Sequence, residues 1–242
     1  MAAQVKPSKK SFPAILVVIA LIGVVAIGYM TSRPTEVLKL PDGVPTLQAK
    51  GVLKGDSNAL VQVIEFADFE CPGCGQFATV TEPDVMARLV ATGEVAFRFI
   101  DFPLEGHLNA VAAHNAAACA NEQGKFWEMH DRIFLNQHRW NTQATKKPKG
   151  VLEGLAKDAG LDMGQWNDCY DSGRMLEQIS ANRTQGMRLR VNSTPTFIIN
   201  DQMVAEVLTY DRFRELVTMA KVQRMADSSA KTGKAVTAPK RP

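Results

Sequence analysis

Cys71-Pro72-Gly73-Cys74 carries two thiols three residues apart, a spacing at which a dithiol can close to a disulfide and reopen. The preceding segment, Ala59 to Ala67, is apolar and β-branched, whereas the following one, Gly75 to Val80, reads as helix. The pair is therefore placed on a strand-to-helix turn. Unpaired N–H groups and the helix dipole favour negative charge at such a turn, so Cys71 is expected to ionise first. Cys74, one turn in, is expected to be more buried and to act second.

Other uses of two close cysteines stay open on spacing alone. Half of a zinc site is one, but the other two cysteines, Cys119 and Cys169, are isolated, and His107, His114, His130 and His138 form no second close pair. A purely structural disulfide is disfavoured because a two-residue spacer closes a very short loop.

The chain ends suggest where this chemistry takes place. Phe12 to Met30 has no charged side chain, is rich in Ile, Leu and Val, and follows Lys6, Lys9 and Lys10. A bilayer needs roughly 17–25 such residues, so an uncleaved transmembrane signal anchor is expected, its N-terminal tail cytoplasmic and the remainder exported. A cleaved signal peptide is the rival reading, but the apolar run ends at Tyr29-Met30-Thr31-Ser32-Arg33 rather than at small residues. A domain outside the membrane can keep disulfides.

The formal net charge of +3 does not point to nucleic acid. Its excess sits at the ends, in Lys6, Lys9 and Lys10 and in Lys231, Lys234, Lys240 and Arg241, with only Asp227 opposing the latter group. The middle of the chain is mildly acidic, so nucleic-acid binding has no electrostatic support.

The expected organisation is a cytoplasmic tail (1–11), a membrane anchor (12–30), a linker (31–50), one domain (51–225) and a disordered basic tail (226–242). Arg33 to Gly55 reads as a tether with a short strand around Val37 to Leu40. Pro83 should kink or interrupt the helix after Cys74, and Val95 to Ile100 forms the next strand, giving a βαβ unit with a parallel pair. From about residue 107 to 190 the pattern is helical: His107 to Asn121, a stretch around Phe126 to Phe134, Val151 to Ala159, Asp162 to Ser172 and Arg174 to Leu189. Strand character returns at Thr196 to Ile199 and at Met203-Val204, and Asp211 to Met225 closes the domain as an amphipathic helix. One sheet can take the strands on both sides of the helical block.

Four segments in order, Val63 to Cys74, Phe99 to Leu104 with His107 and Ala110, Gln123 to Asp131, and Ser193 to Asn200, resemble the DsbA-like thiol:disulfide oxidoreductases over about Gly51 to Met225. The resemblance implies an α/β thioredoxin fold with an inserted helical subdomain, here preceded by one N-terminal transmembrane helix. It implies a cis peptide bond between Thr194 and Pro195, in a loop facing the redox pair that holds an extended substrate. Glu65 matches the family's buried acid, able to exchange a proton with Cys74. His107 and the tryptophans Trp127 and Trp166 read as structural. Cys119 and Cys169 match a second disulfide found in some members, closing a loop of about fifty residues.

The implied activity is disulfide introduction into exported proteins with free cysteines, without cofactor or metal. Reoxidation is assigned to a membrane partner of the DsbB or vitamin-K-epoxide-reductase type. Gly73 departs from the best-known Pro-His spacer and removes an imidazole that could stabilise the Cys71 thiolate, leaving a reductase or isomerase as the nearest alternative. Outside this chemistry, a membrane-anchored metal-delivery module using Cys71 and Cys74 as soft ligands and a redox-inactive chaperone using only the groove remain open.

Overall fold

A computed structural model describes residues 12–31, 37–40 and 51–232. The expected tail 1–11, most of the linker and residues 233–242 lie outside them. The chain divides into two units, Met1–Glu36 and Val37–Pro242.

In the first unit, α1 spans Phe12–Thr31. Its described side chains, Ile15 to Val25, are all uncharged. Among the described residues no helix is long and apolar enough to cross a membrane, so what the structure establishes for residues 12–30 is helical backbone.

The second unit is built on a six-stranded sheet. Its strands are β1 (Leu38–Lys39), β2 (Val52–Lys54), β3 (Val61–Ala67), β4 (Val95–Asp101), β5 (Thr196–Ile199) and β6 (Gln202–Val204), in the order β1-β6-β5-β3-β4-β2. β3 lies in the middle because it is apolar on both faces. It runs parallel to β4, with Val61 opposite Val95 and Ala67 opposite Asp101, and antiparallel to β5, with Glu65 opposite Phe197. One sheet thus takes strands from both sides of the helical block, as expected. β2 is an addition within the stretch read as a tether: three residues are too short to show a pattern, and pairing with β4 makes them a strand.

The parallel β3–β4 connection is one long helical passage. It begins as α2 (Pro72–Gln76), passes through a π turn (Phe77–Thr81) into α3 (Glu82–Val85), and ends in a second π turn (Met86–Val90). Pro83 supplies the reason: it has no N–H for an i→i−4 bond, and the ladder around it shifts register. The Glu82 N–H reaches back to the Phe77 carbonyl, and the Ala91 N–H to that of Met86.

The insert comprises α4 (Ala110–Asn121), α5 (Phe126–Leu135), α6 (Gln137–Trp140), α7 (Lys149–Asp158), α8 (Met163–Ser172) and α9 (Leu176–Arg188). α8 starts on Asp162, whose carboxylate accepts from the Gln165 N–H, and stops at Gly173 in the left-handed conformation. α9 comes close to the sheet at Gly186, where a Cβ would sit 2.6 Å from the Phe102 ring and 3.0 Å from that of Phe66. The last helix, α10 (Tyr210–Thr232), packs Phe213, Leu216, Val217 and Ala220 against Val63, Phe97 and Phe197. It also corrects the expected disordered tail: residues 226–232 are helical, with the Ser228 and Ser229 hydroxyls bonded to the carbonyls of Arg224 and Met225.

Alternation along β3 sorts its neighbours. Val61 and Val63 face α10 and the helical passage, while Phe66 joins Ile100, Phe102 and Ile198 on the other side. Glu65 is thereby carried under the helix that starts at the two cysteines.

Candidate active site

Cys71 is the N-cap of α2, with φ −70° and ψ 124°, so the N–H groups of the first turn converge on its side chain. It is 7% exposed, while Cys74 is fully buried; both are free thiols. The loop before the helix is held by the Cys71 N–H on the Asp68 carbonyl at 3.0 Å and by Glu70 N–H on the Asp68 carboxylate at 2.7 Å.

The two thiols are driven apart electrostatically. Cys71 falls from an ordinary 9.0 to about 6, chiefly because the Cys74 thiol hydrogen-bonds its thiolate; burial opposes this, while the Thr194 side chain and the backbone N–H groups of Cys74 and Gly73 assist. Burial pushes Cys74 well up, and its hydrogen bond to Cys71 and the nearby negative charge of Cys71 and Glu65 push the same way. One sulfur is therefore an available nucleophile and leaving group, and the other holds its proton.

Residues distant in sequence complete the surroundings. The Thr194–Pro195 peptide is cis, and the Cys71 Sγ–H donates to the Thr194 carbonyl at 3.2 Å. A Cβ on Gly73 would lie 3.1 Å from Val207 Cγ2, 3.3 Å from Pro195 Cδ and 3.7 Å from Cys71 Sγ, so this glycine borders the Pro195 loop directly. Glu65 is buried beneath the pair with Oε2 unpartnered; burial first, then the Cys71 charge, raises it from 4.5 to about 8. The structure thus brings Cys71, Cys74, Gly73, Thr194, Pro195 and Glu65 into one site.

The family model for thioredoxin matches residues 48–218. The chain belongs to the thioredoxin family. Disulfide bond formation protein D of Bacillus subtilis is 25% identical over 177 residues, covering 72% of this chain and 78% of that protein. Na(+)/H(+) antiporter NhaA 3 of Salinispora tropica is 34% identical over 162 residues, 65% of this chain but 22% of the antiporter, so the likeness takes in only about a fifth of that protein. Among solved structures, alpha-DsbA1 of Wolbachia pipientis superposes with a TM-score of 0.66 at 19% identity, covering 78% of this chain and 96% of that one. With these relatives and this dithiol, the chain is a DsbA-like thiol:disulfide oxidoreductase.

The oxidoreductase has site-shaping residues that the sequence alone did not reveal. Gln137, on the short helix α6, donates to the carbonyls of Phe69 at 2.6 Å and Cys71 at 2.9 Å, and fills the space that a Cβ on Gly75 would need. Asp68 also accepts from the Leu104 N–H and lies 2.7 Å from His107 Nδ1, tying the loop to the start of the insert. Glu70 is held by the N–H groups of Asn109 and Thr142. The only signal for Asp68 and Glu70 was their place in Asp68-Phe69-Glu70-Cys71; Gln137 had none.

Other candidate residues lie away from the thiols. Cys119 and Cys169 are joined by a disulfide between α4 and α8, their Cα atoms 5.7 Å apart. Trp166 is fully buried and donates to the Ala116 carbonyl, while Trp127 is half-buried beneath Lys54. Among the described residues no group of three or more His, Cys, Asp or Glu stands together as a metal site.

Proposed function

We propose that this oxidoreductase introduces disulfides into exported proteins through Cys71 and Cys74. The observation that carries the reading is the opposite displacement of the two thiols, Cys71 down to about 6 and Cys74 up. A stabilised thiolate favours the reduced pair, and whatever stabilises the reduced pair makes the disulfide a stronger oxidant.

In the oxidising direction a substrate thiolate attacks Cys71 Sγ. A substrate–Cys71 bond forms, the Cys71–Cys74 bond breaks, and the electron pair leaves on Cys74, which takes a proton. A second substrate thiolate attacks the substrate sulfur of the mixed disulfide, and Cys71 leaves as thiolate. The substrate has lost two electrons and the enzyme pair has gained them. Thr194 and Pro195 hold the substrate segment beside Cys71, Gly73 and Val207 border Pro195, and Glu65 exchanges the Cys74 proton.

Export follows from α1 acting as a membrane anchor, supported by its uncharged described side chains and by Lys6, Lys9 and Lys10 on its N-terminal side. The N-terminus is then cytoplasmic and the catalytic domain extracytoplasmic. A quinone-linked membrane oxidase of the DsbB or vitamin-K-epoxide-reductase type restores the disulfide.

Equilibration with glutathione tests the direction: an oxidase gives a potential nearer the value of about −120 mV at the DsbA end of the scale than the value of about −270 mV at the thioredoxin end. A potential at the thioredoxin end makes the protein a reductase or isomerase, the reading that Gly73 favours by leaving no imidazole beside the Cys71 thiolate. Cys71→Ser should abolish thiol oxidation, and retained activity would remove the assignment altogether.

A further inference from the structure

Each catalytic cycle requires Cys74 to gain a proton when it leaves and lose one when it attacks, yet Cys74 has no exposed surface. Glu65 can exchange that proton with Cys74, but it too is buried, with 1% of its surface exposed. Something must connect Glu65 to solvent.

A second buried acid, Glu82, stands at the start of α3, near enough to Glu65 to be raised by its charge. Its Oε2 has no hydrogen-bond partner and lies 3.6 Å from His130 Nε2, which is also without one. The other ring nitrogen of His130, Nδ1, is 2.8 Å from Asp131 Oδ1, and the Asp131 side chain is 61% exposed. His130 itself is fully buried on α5 among Phe69, Phe99, Phe126, Trp127 and Phe134. An imidazole enclosed by rings, with one nitrogen aimed at a buried acid and the other at a surface carboxylate, is arranged to take a proton on one side and release it on the other.

We propose that Glu82 and His130 form a proton relay that carries the Cys74 proton between Glu65 and the solvent beside Asp131. The proposal rests on Cys71–Cys74 exchange but not on its net direction. When Cys74 leaves as thiolate, Glu65 gives it a proton, Glu82 restores that of Glu65, and His130 Nε2–H restores that of Glu82; His130 recovers its own at Nδ1 from water beside Asp131. When Cys74 attacks, each transfer runs backwards, so no net charge is left in the core. The groups facing the relay are consistent with it. Glu82 is raised to about 8, first by burial, with His130 and Lys54 pulling it down and Glu65 and Asp131 pushing it up. Glu65 and Glu82 thus both hold protons near neutrality, and Glu82 is raised in part by the charge of Glu65. Glu82 and His130 are relay residues, acting on the sulfur only through Glu65.

The test is the release of glutathione from the Cys71 mixed disulfide, formed by adding oxidised glutathione to the reduced full chain and followed by rapid quench across pH. In Glu82→Gln and His130→Gln, release should slow by about tenfold below about pH 7 and recover as pH rises, as for loss of a general acid–base group. The Cys71 thiol should still titrate at about 6. Asp131→Asn, a surface change that leaves packing intact, should slow release in the same pH range. Unchanged profiles in all three variants overturn the relay, as does equal slowing at every pH with a displaced Cys71 titration, which marks a structural role. A wild-type protein that forms no mixed disulfide at Cys71 overturns the exchange reading instead.

Discussion

Thr194 meets Cys71 twice. Its carbonyl oxygen accepts the Sγ–H at 3.2 Å, while its hydroxyl is buried without a hydrogen-bond partner and helps hold the Cys71 thiol down. The carbonyl suits the thiol and the hydroxyl suits the thiolate, so the residue before Pro195 serves both protonation states of the attacking sulfur.

Thr194→Val keeps the β-branched shape and the carbonyl but removes the hydroxyl. A hydrogen bond to a charged group is worth about 1.5 kcal/mol or more, so Cys71 should become about tenfold less acidic. The pH dependence of iodoacetamide alkylation, with its midpoint at about 6 in the wild type, measures this directly. An unmoved midpoint would show that the hydroxyl does not reach the thiolate.

Gly73→His brings an imidazole to the rim of the pair. Its Cβ would lie 3.7 Å from Cys71 Sγ and would press Val207 Cγ2 at 3.1 Å, a half-exposed side chain free to move. The expected outcome is a lower Cys71 titration midpoint and a less negative potential against glutathione, by about 30 mV for each 1.4 kcal/mol of thiolate stabilisation. A more negative potential would show that crowding against Pro195 Cδ, at 3.3 Å, outweighs the charge.

Glu82→Gln alters how stability depends on pH. Glu82 titrates at about 8 in the fold against an ordinary 4.5, so between these values the folded state holds a proton that the unfolded state has lost. Stability contributed by this group is full below about 4.5 and falls as pH rises to about 8. In the oxidised protein, where neither Cys71 nor Cys74 titrates, Glu82→Gln should flatten this decline and gain about 3 kcal/mol on the wild type between pH 5 and pH 8. Denaturant melts at the two pH values check it, and parallel declines would show that Glu82 is ionised in the fold. Reduced protein adds an opposite slope from Cys71, whose depressed midpoint stabilises the fold above about pH 6.

Replacing Cys119 and Cys169 together by Ala removes a link across 50 positions between α4 and α8. Chain entropy sets the loss at about 4 kcal/mol, with measured values scattered from roughly 0 to 5. Thiol exchange by Cys71 should be unchanged at temperatures where the variant stays folded. Thermal melts and insulin-reduction rates on the same samples separate the two effects.

Much of the fold was legible because its signals are local. The apolar run through Val61, Val63 and Phe66 marks the central strand, Asp162 and Gly173 bracket α8, and Pro83 announces the interruption of the helix after Cys74. β2 and α6 escaped because three or four residues carry no period, and their conformations come from β4 and from packing around Trp140. The extension of α10 past Met225 escaped as well, because Ala and Ser there lack an apolar stripe, while the helix needs only backbone and hydroxyl bonds to continue.

Cys71 and Cys74 mark the reactive site by themselves, because two thiols one helical turn apart can close to a disulfide, while metal ligation by the same pair stays open on spacing alone. Glu65 and Pro195 could be assigned from the order of family-like segments, though not from local pattern. Only the tertiary structure decided that Gln137 ties down the redox loop, that Gly73 borders Val207, and that Glu82 and His130 face each other. The physical reason is distance along the chain. A thiol's acidity depends on every dipole and charge within a few ångströms; the redox helix and the strand before it supply most of those around Cys71 and Cys74, and only folding brings Thr194 to the pair.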